Sequence, residues 1–340
     1  MKPGTHVNDP LVLLYLTDTQ FQGATPSGRT DSFMETCLRK IQEVAEIVEA
    51  ENVRAIIHGG DFFNSPSPSF GVVSAIIDAC QAAGCQWYVN PGNHDLFAYN
   101  LASIRYSALG LLRTIHDFNI LIPKDGNKGL IFLDKMPDGG RVMLGHAPFL
   151  YGLENPADAF SFRRDEFKGL LEERDMVLMT THGTLTTKAI PAPHVLLKDL
   201  ETDAEITFGA HWHEPWGVLE ESERMFVHPG SFLRMSRTET HRPSVALLKI
   251  WSRGDWDVSI RPLGSAAPAS EVFRPAEAGA EGLAVDEDQV RALLDSVREL
   301  SLSFGTASGL DELLRTAARQ LDVPRPVLEK ALELVAGEAA

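Results

Sequence analysis

The sequence predicts a layered α/β fold: two sheets packed face to face, helices outside, and a small helical appendage at the C-terminal end. Three observations carry this. Through the first half, short apolar runs bounded by Gly or Pro alternate with stretches of helical periodicity, which implies strands paired in parallel through crossover helices. The second half is mostly strand-like runs, read as mainly antiparallel. Hydrophobic residues make up 44% of 340 residues, enough for one large core and an extra segment.

The elements follow in order. Residues 11–16 are an apolar run ending at Asp18. Residues 31–51 place Phe33, Leu38, Ile41, Val44, Ile47 and Val48 at helical spacing, with Asp31 or Ser32 as cap. A second strand leads to Gly59-Gly60-Asp61, and residues 72–83 read as a helix ended by Gly84. Residues 87–89 lead to Pro91-Gly92-Asn93-His94-Asp95. Residues 102–115 and 165–174 read as helices, and 120–122, 130–133 and 142–144 as strands, with Gly139-Gly140 turning before the last. Residues 176–179 lead to His182 and 205–209 to His211-Trp212-His213. Late strands are expected at 216–219, 225–228, 245–251 and 256–261. Residues 265–285 have the Ala, Gly and Pro content of a linker, and 286–340 read as two or three amphipathic helices. The expected organisation is therefore a catalytic domain over 1–264, a linker, and a helical segment.

Carboxylate, amide and imidazole groups thus recur at the ends of successive strands, where open α/β sheets gather their sites. Asp, Asn and His together suit divalent cations such as manganese, iron or zinc. A carboxylate such as Asp61 can bridge two cations about 3.5–4 Å apart. Each residue alone has an ordinary explanation in a turn, a cap or the core; the ordered series favours two metals.

In sequence order, Asp18, Gly60-Asp61, Gly92-Asn93-His94-Asp95, His182 and His211-Trp212-His213 resemble the calcineurin-like metallophosphoesterase signature. The resemblance implies a four-layer sandwich and a phosphoester hydrolase holding two divalent ions, manganese first, with iron, zinc and magnesium as alternatives. It places Asp18, Gln20, Asp61 and His213 around one metal and Asp61, Asn93, His182 and His211 around the other. It makes His94 the general acid or transition-state stabiliser, with Asp95 orienting it. Gly60-Asp61-Phe62-Phe63, the run at 142–149 and the Pro229-Gly230-Ser231 segment with Arg234, Ser236 and Glu239 are similar to the SbcD-type nucleases of double-strand-break repair and their phage relatives. That narrower resemblance implies DNA as substrate and an SMC-like coiled-coil ATPase as partner docked on the C-terminal helices; a homodimer contact or a simple cap are the other uses of those helices. It also points to Asn64, Arg234 and Arg237 as substrate contacts. Two departures stand out. Gln20 occupies a position where the family carries His, and Asn64 one where this branch often carries His or Asp.

Net charge of −16 argues against a broad basic nucleic-acid surface and leaves local clusters, Arg163-Arg164 with Lys168 and Arg234-Arg237-Arg242 with His241. It also suits the alternative reading, a phosphodiesterase or phosphatase for a small nucleotide or other phosphoester. Three cysteines without zinc spacing, no 18-residue apolar stretch and no apolar leader segment are read as a cytoplasmic protein off the membrane. Of the remaining histidines, His58 is expected to pack, His6, His116 and His194 to be structural or on the surface, and His146 and His228 to sit on loops near the site.

Overall fold

A computed structural model describes residues 9–26, 28–150, 156–190, 194–221, 224–274 and 327–329. The chain runs β1 (Leu11–Leu16), α1 (Phe33–Glu51), β2 (Ala55–His58), α2 (Phe70–Gln81), β3 (Gln86–Val89), α3 (Ala108–Leu112), β4 (Phe118–Ile120), β5 (Gly129–Lys135) and β6 (Arg141–Ala147). It continues through α4 (Pro156–Phe160), β7 (Met176–Thr186), β8 (Val195–Leu196), β9 (Ile206–Ala210), β10 (Gly217–Glu221), β11 (Arg224–His228), β12 (Ser244–Ser252), β13 (Asp255–Pro262) and α5 (Ala269–Val272).

These strands form a six-stranded sheet, β13-β12-β1-β2-β3-β4, and a seven-stranded one, β10-β11-β9-β7-β6-β5 with β8 on β7. Alternation along the central strands explains the layers, because successive side chains in a strand face opposite ways. Leu13 and Tyr15 of β1, with Ala246 and Leu248 of β12, meet Leu144, Leu178, Ile206 and Phe208 of the other sheet in the inner core. Val12, Leu14 and Leu16 face outward into a second core with Ile41, Val44, Val48 and Ile76 of α1 and α2. The far face of the second sheet buries Val177, Met179 and Phe226 with Phe160 and Phe162. The expected α/β sandwich is what the chain adopts. Ser32, not Asp31, caps α1 by accepting from the Glu35 amide.

Several expectations are corrected. Residues 102–115 do not form one helix: a 3-10 helix over Leu101–Tyr106 stops at Ser107, whose hydroxyl caps α3 by accepting from the Gly110 amide. Residues 165–174 give only a 3-10 turn, Arg164–Phe167, and Gly169 follows at φ +84°, outside the helical region. The strand expected at 120–122 sits two residues earlier, as β4. The second sheet is mixed, with β6, β7, β9 and β11 paired in parallel, while the late strands pair mostly antiparallel as expected, β10 with β11 and β12 with both β13 and β1.

The compact unit ends at Phe273, past the expected boundary at 264. Glu43 accepts from the amides of Gly264 and Ser265 at 2.6 and 2.8 Å, and Thr30 bonds back to Val272. A second unit spans Arg274–Ala340; of it, only Arg274 and the helical residues 327–329 are described, so the rest of the expected linker and helices lie outside the described residues. Among the described residues no helix is long and apolar enough to cross a membrane.

Tyr15 ties the two sheets together. Its ring stacks on Phe208 at 4.4 Å and its hydroxyl donates to the Gly209 carbonyl at 2.7 Å. Tyr15→Phe keeps the stack and strands that buried carbonyl, so urea unfolding should show a loss of about 1–3 kcal/mol; an unchanged midpoint would mean the hydroxyl adds nothing.

Candidate metal centre

The ends of β1, β2, β3 and β9, and a bulge inside β7, deliver the predicted ligands to one edge of the sandwich. After β1 and β2 the chain continues as two adjacent loops, joined by Asp18 N–H to Gly60 O at 3.0 Å, Gln20 N–H to Asp61 O at 2.8 Å and Phe21 N–H to Phe62 O at 2.9 Å. This pairing sets Asp18 and Asp61 side by side, both fully or almost fully buried. Seven non-glycine residues among those described have positive φ, and four are Asp18 (+52°), Gln20 (+42°), Asp61 (+53°) and His211 (+71°). Backbone strain is thus concentrated at the predicted ligands, as at other sites where geometry is over-determined by the surroundings.

Two glycines explain their places in the motifs. Gly60 lies at φ +127°, and a Cβ there would come 2.2 Å from His182 Nδ1. A Cβ on Gly92 would meet Asp61 Oδ1 at 2.1 Å. Only hydrogen fits at either point.

His182 arrives through an irregularity. The register of β7 against β9 shifts between Thr180 and Thr184, so three residues of β7, 181–183, stand opposite the single Gly209 of β9, and a bulge re-aims the side chain between them. His182 Nδ1–H donates to the Gly59 carbonyl at 3.1 Å, which leaves Nε2 facing Asn93 Oδ1 at 3.2 Å and Asp61 Oδ1 at 3.4 Å. Ligand atoms of Asp61, His182 and His211 all lie within 4.8 Å of one another. On the other side, His213 Nε2 is 3.8 Å from Asp18 Oδ1. Asp18 also accepts from the Thr17 hydroxyl at 2.7 Å and from the His211 amide at 3.1 and 3.2 Å.

The donor set fits cations. Gln20 is 4% exposed, and its Oε1 is buried with no hydrogen-bond partner, an orphan of the kind that an ion satisfies. Burial raises Asp18 above the usual carboxylate range. Burial would raise Asp61 too, but the charges of His182 and His94 outweigh it and hold Asp61 low. Burial opposes a charged His182 and His213, yet Asp61 and Asp18 for the first, and Glu239 and Asp18 for the second, push both up to about 9. His211, buried beside His182, is pulled down to about 3. The carboxylates thus draw positive charge into the centre, and a bound cation meets that demand while displacing the protons.

His94 lies at the open side. Its amide donates to Asp61 Oδ1 at 2.9 Å, its ring Nδ1–H donates to the Asn64 carbonyl at 3.0 Å, and Nε2 is 4.0 Å from Asp61 Oδ2. Asp95 is a correction. It turns into the core and accepts from the amides of Phe62, Phe63 and Gly92 at 3.2, 3.0 and 2.9 Å, so it fixes the loops while the Asn64 carbonyl orients His94. Asn64's side chain donates to Gln22 Oε1 at 2.6 Å and is engaged within the protein.

Arg234 is corrected as well. It is 3% exposed and donates to the carbonyls of Ala267 and His241, so it braces the loop after Gly230 instead of facing a substrate. Arg237 is exposed. His146 and His228 lie buried in β6 and β11 rather than on loops; His228 donates from Nε2 to the Trp212 carbonyl and so holds the His-x-His turn. His58 packs as expected, with Nδ1 accepting from the Gly60 amide and Nε2–H donating to Thr19.

The sequence reading did not assign four supporting groups. Asn90 donates to the carbonyls of Gly59 and Ala147, joining the loops of the two sheets. Thr17 holds Asp18. Phe149 packs against His211 at 5.6 Å and Tyr99 at 5.7 Å. Glu239 receives His213 Nδ1 at 3.2 Å. Phe149 and Glu239 were noticed only as parts of the resemblance at 142–149 and 229–239, and Asn90 and Thr17 only as neighbours of the motifs.

A family model described as calcineurin-like phosphoesterase matches residues 11–215, well over half of the chain. The chain belongs to the calcineurin-like phosphoesterase family. It is a metal-dependent phosphoester hydrolase, and the family implies a dinuclear divalent centre. No curated protein matches the sequence. Among solved structures, the calcineurin-like phosphoesterase YfkN from Bacillus subtilis is 13% identical with a TM-score of 0.46, covering 91% of this chain and 99% of that one. A dimetal phosphatase from Danio rerio is 11% identical with a TM-score of 0.45, covering 75% of this chain and 100% of that one. A 5'-nucleotidase precursor from Thermus thermophilus is 12% identical with a TM-score of 0.44, covering 86% of this chain and 59% of that one.

In this calcineurin-like phosphoesterase, Gln20 would offer a cation a neutral amide oxygen where an imidazole would bind borderline metals better. Gln20→His should tighten uptake of the weaker of two manganese ions in calorimetric titration or change the preferred metal. Superimposable titrations would place Gln20 outside the ligand shell.

Proposed function

We propose that this chain hydrolyses phosphodiesters, with Asp18, Gln20, Asp61 and His213 around one cation, Asp61, Asn93, His182 and His211 around the other, and His94 as the acid. Bound there, two divalent cations screen the charge of a phosphodiester and supply a water acidified toward neutrality. Manganese is the first ion to test, because the set mixes carboxylate, amide and imidazole donors.

The placement of His94 carries this reading. Its side chain is 39% exposed, while that of His182 is fully buried. Nδ1–H is committed to the Asn64 carbonyl, so the ring cannot rotate freely and Nε2 remains beside Asp61 on the open side. As the imidazolium, His94 has a proton at Nε2 to give to the departing alkoxide of a diester, the step in which such a leaving group needs an acid.

For substrate we put DNA first, on the resemblance of Gly60-Asp61-Phe62-Phe63 and Pro229-Gly230-Ser231 to the SbcD-type nucleases. A chain of net charge −16 captures a polyanion poorly unaided, which supports a partner that holds the duplex: an SMC-like ATPase docked on residues 286–340, or a second copy of this chain. The free, largely buried thiols of Cys37, Cys80 and Cys85 fit a cytoplasmic setting. A specific observation favours the second reading, a small nucleotide or other phosphoester: the side chains of Asn64 and Arg234, expected on DNA, are engaged inside the protein. Manganese-supplemented assays on linear duplex, single-stranded DNA and bis-p-nitrophenyl phosphate separate the two. Cleavage of the small diester alone, even with an ATPase added, would reject the nuclease reading.

His94→Ala should reduce hydrolysis of bis-p-nitrophenyl phosphate about 100- to 10,000-fold while calorimetry still counts two manganese ions. Loss of metal uptake in parallel would make His94 a ligand and not the acid. A chain ending at Arg274 keeps every residue of the centre, and the compact unit closes at Phe273. It should fold and cleave the small diester at the full-length rate while losing any partner binding seen by pull-down. An insoluble product would place the C-terminal segment in the catalytic core.

A further inference from the structure

Glu239 lies outside both ligand sets, yet four polar groups converge on its carboxylate. Its side chain is 13% exposed. Oε1 takes the ring nitrogen Nδ1 of His213 at 3.2 Å and the Ser236 amide at 3.2 Å. Oε2 takes the Ser231 hydroxyl at 3.1 Å and the Met235 amide at 3.2 Å. The same loop is stitched to the centre through Ser231 N–H to the His213 carbonyl at 3.1 Å and Phe232 N–H to the Thr17 carbonyl at 2.9 Å.

Seen from His213, the imidazole is strung between two carboxylates, Nδ1 on Glu239 and Nε2 3.8 Å from Asp18. With Nδ1–H given to Glu239, the lone pair is at Nε2, facing Asp18. His182, by contrast, gives its Nδ1–H to a neutral carbonyl, that of Gly59. The two imidazoles are therefore held differently, and the charged holder stands behind the one on the side of Asp18 and Gln20. A carboxylate behind a histidine ligand fixes its tautomer and ring plane and makes it a stronger donor.

We propose that Glu239 is a positioning residue for the first metal: through His213 it fixes the donor nitrogen and adds, from outside the ligand shell, the negative charge and donor strength that Gln20 does not supply. This rests on the two-metal reading above. It accounts for a buried carboxylate on a loop that otherwise needs only backbone and serine partners.

The test uses full-length Glu239→Gln and Glu239→Ala proteins. Glutamine keeps the size and one acceptor for the loop and removes the charge; alanine removes the hold on His213. Manganese titration by calorimetry should show one of two binding steps weakened about 10- to 100-fold in both variants, the same step that Gln20→His strengthens, with the other unchanged. Imidazole nitrogen NMR on metal-free protein at alkaline pH, where the ring is neutral, should show the proton held on Nδ1 in the wild type and in Glu239→Gln, and shared between both nitrogens in Glu239→Ala. Wild-type affinity for both ions in Glu239→Ala would overturn the proposal. So would equal weakening of both steps accompanied by a lower melting temperature in both variants, which marks a purely structural role. If the wild type itself takes up fewer than two ions, the two-metal reading fails, and the NMR comparison still decides whether Glu239 holds His213.

Discussion

Two buried carboxylates at the ends of adjacent parallel strands, Asp18 and Asp61, impose the constraint around which this fold is arranged. Like charges in a low-dielectric interior repel strongly and lose their hydration. The chain answers with donors rather than distance. Asp18 takes a hydroxyl and a backbone amide, from Thr17 and His211. Asp61 takes the His94 amide and faces His182. Those donors come from loops of different strands, so the loops must reach the edge together. The left-handed backbone at Asp18, Gln20, Asp61 and His211 is the local cost, and the packed cores beneath hold it. Tyr15 is central here: it sits under Asp18 in β1 and bonds to Gly209, just before the His211 turn.

The candidate ligands were legible as a set because carboxylate, amide and imidazole groups recur after successive apolar runs, a pattern that needs no knowledge of packing. The central strands and α1 were legible for a similar reason: Val12, Leu14 and Leu16 against Leu13 and Tyr15 follow the strand period. Elements whose limits depend on single polar side chains were not. Ser107 ends one helix and starts another within a continuous apolar pattern. Gly169, at φ +84°, stops the helix expected over 165–174. The bulge that aims His182 is invisible to periodicity because it depends on pairing with β9.

Side-chain roles outside the ligand set were least legible, since a basic or amide residue looks the same whether it faces substrate or carbonyl groups. Arg234 shows this. Its neighbour Arg29 donates to the Arg234 carbonyl at 2.5 Å and pairs with Asp31 at 2.7 Å, while Lys40 reaches from α1 to the Phe232 carbonyl at 2.9 Å. Burial lowers Lys40 to about 7. Three cations therefore grip the backbone of one loop, the loop that carries Glu239. Of the basic cluster that the sequence pattern presents for a polyanion, Arg234 and Arg242 are spent on backbone carbonyls of that loop and the returning segment, while Arg237 stays exposed.

The turn at Asn93–Asp95 explains how one short motif serves three purposes. These residues form a 3-10 helix, in which three residues complete a turn and successive side chains leave about 120° apart. Asn93 therefore points to His182, His94 outward beside Asp61, and Asp95 back to the amides of Phe62 and Phe63. An α-helical turn would spread the three less evenly, and a strand would send Asn93 and Asp95 the same way. Asp95 locks the turn onto the loop that carries Asp61, so Asn93 and His94 are held as one body with that carboxylate. Gly92 is required at the start because any Cβ would strike Asp61. The motif thus joins the core to the candidate centre and its open side, and its order Gly-Asn-His-Asp follows from which direction each residue faces.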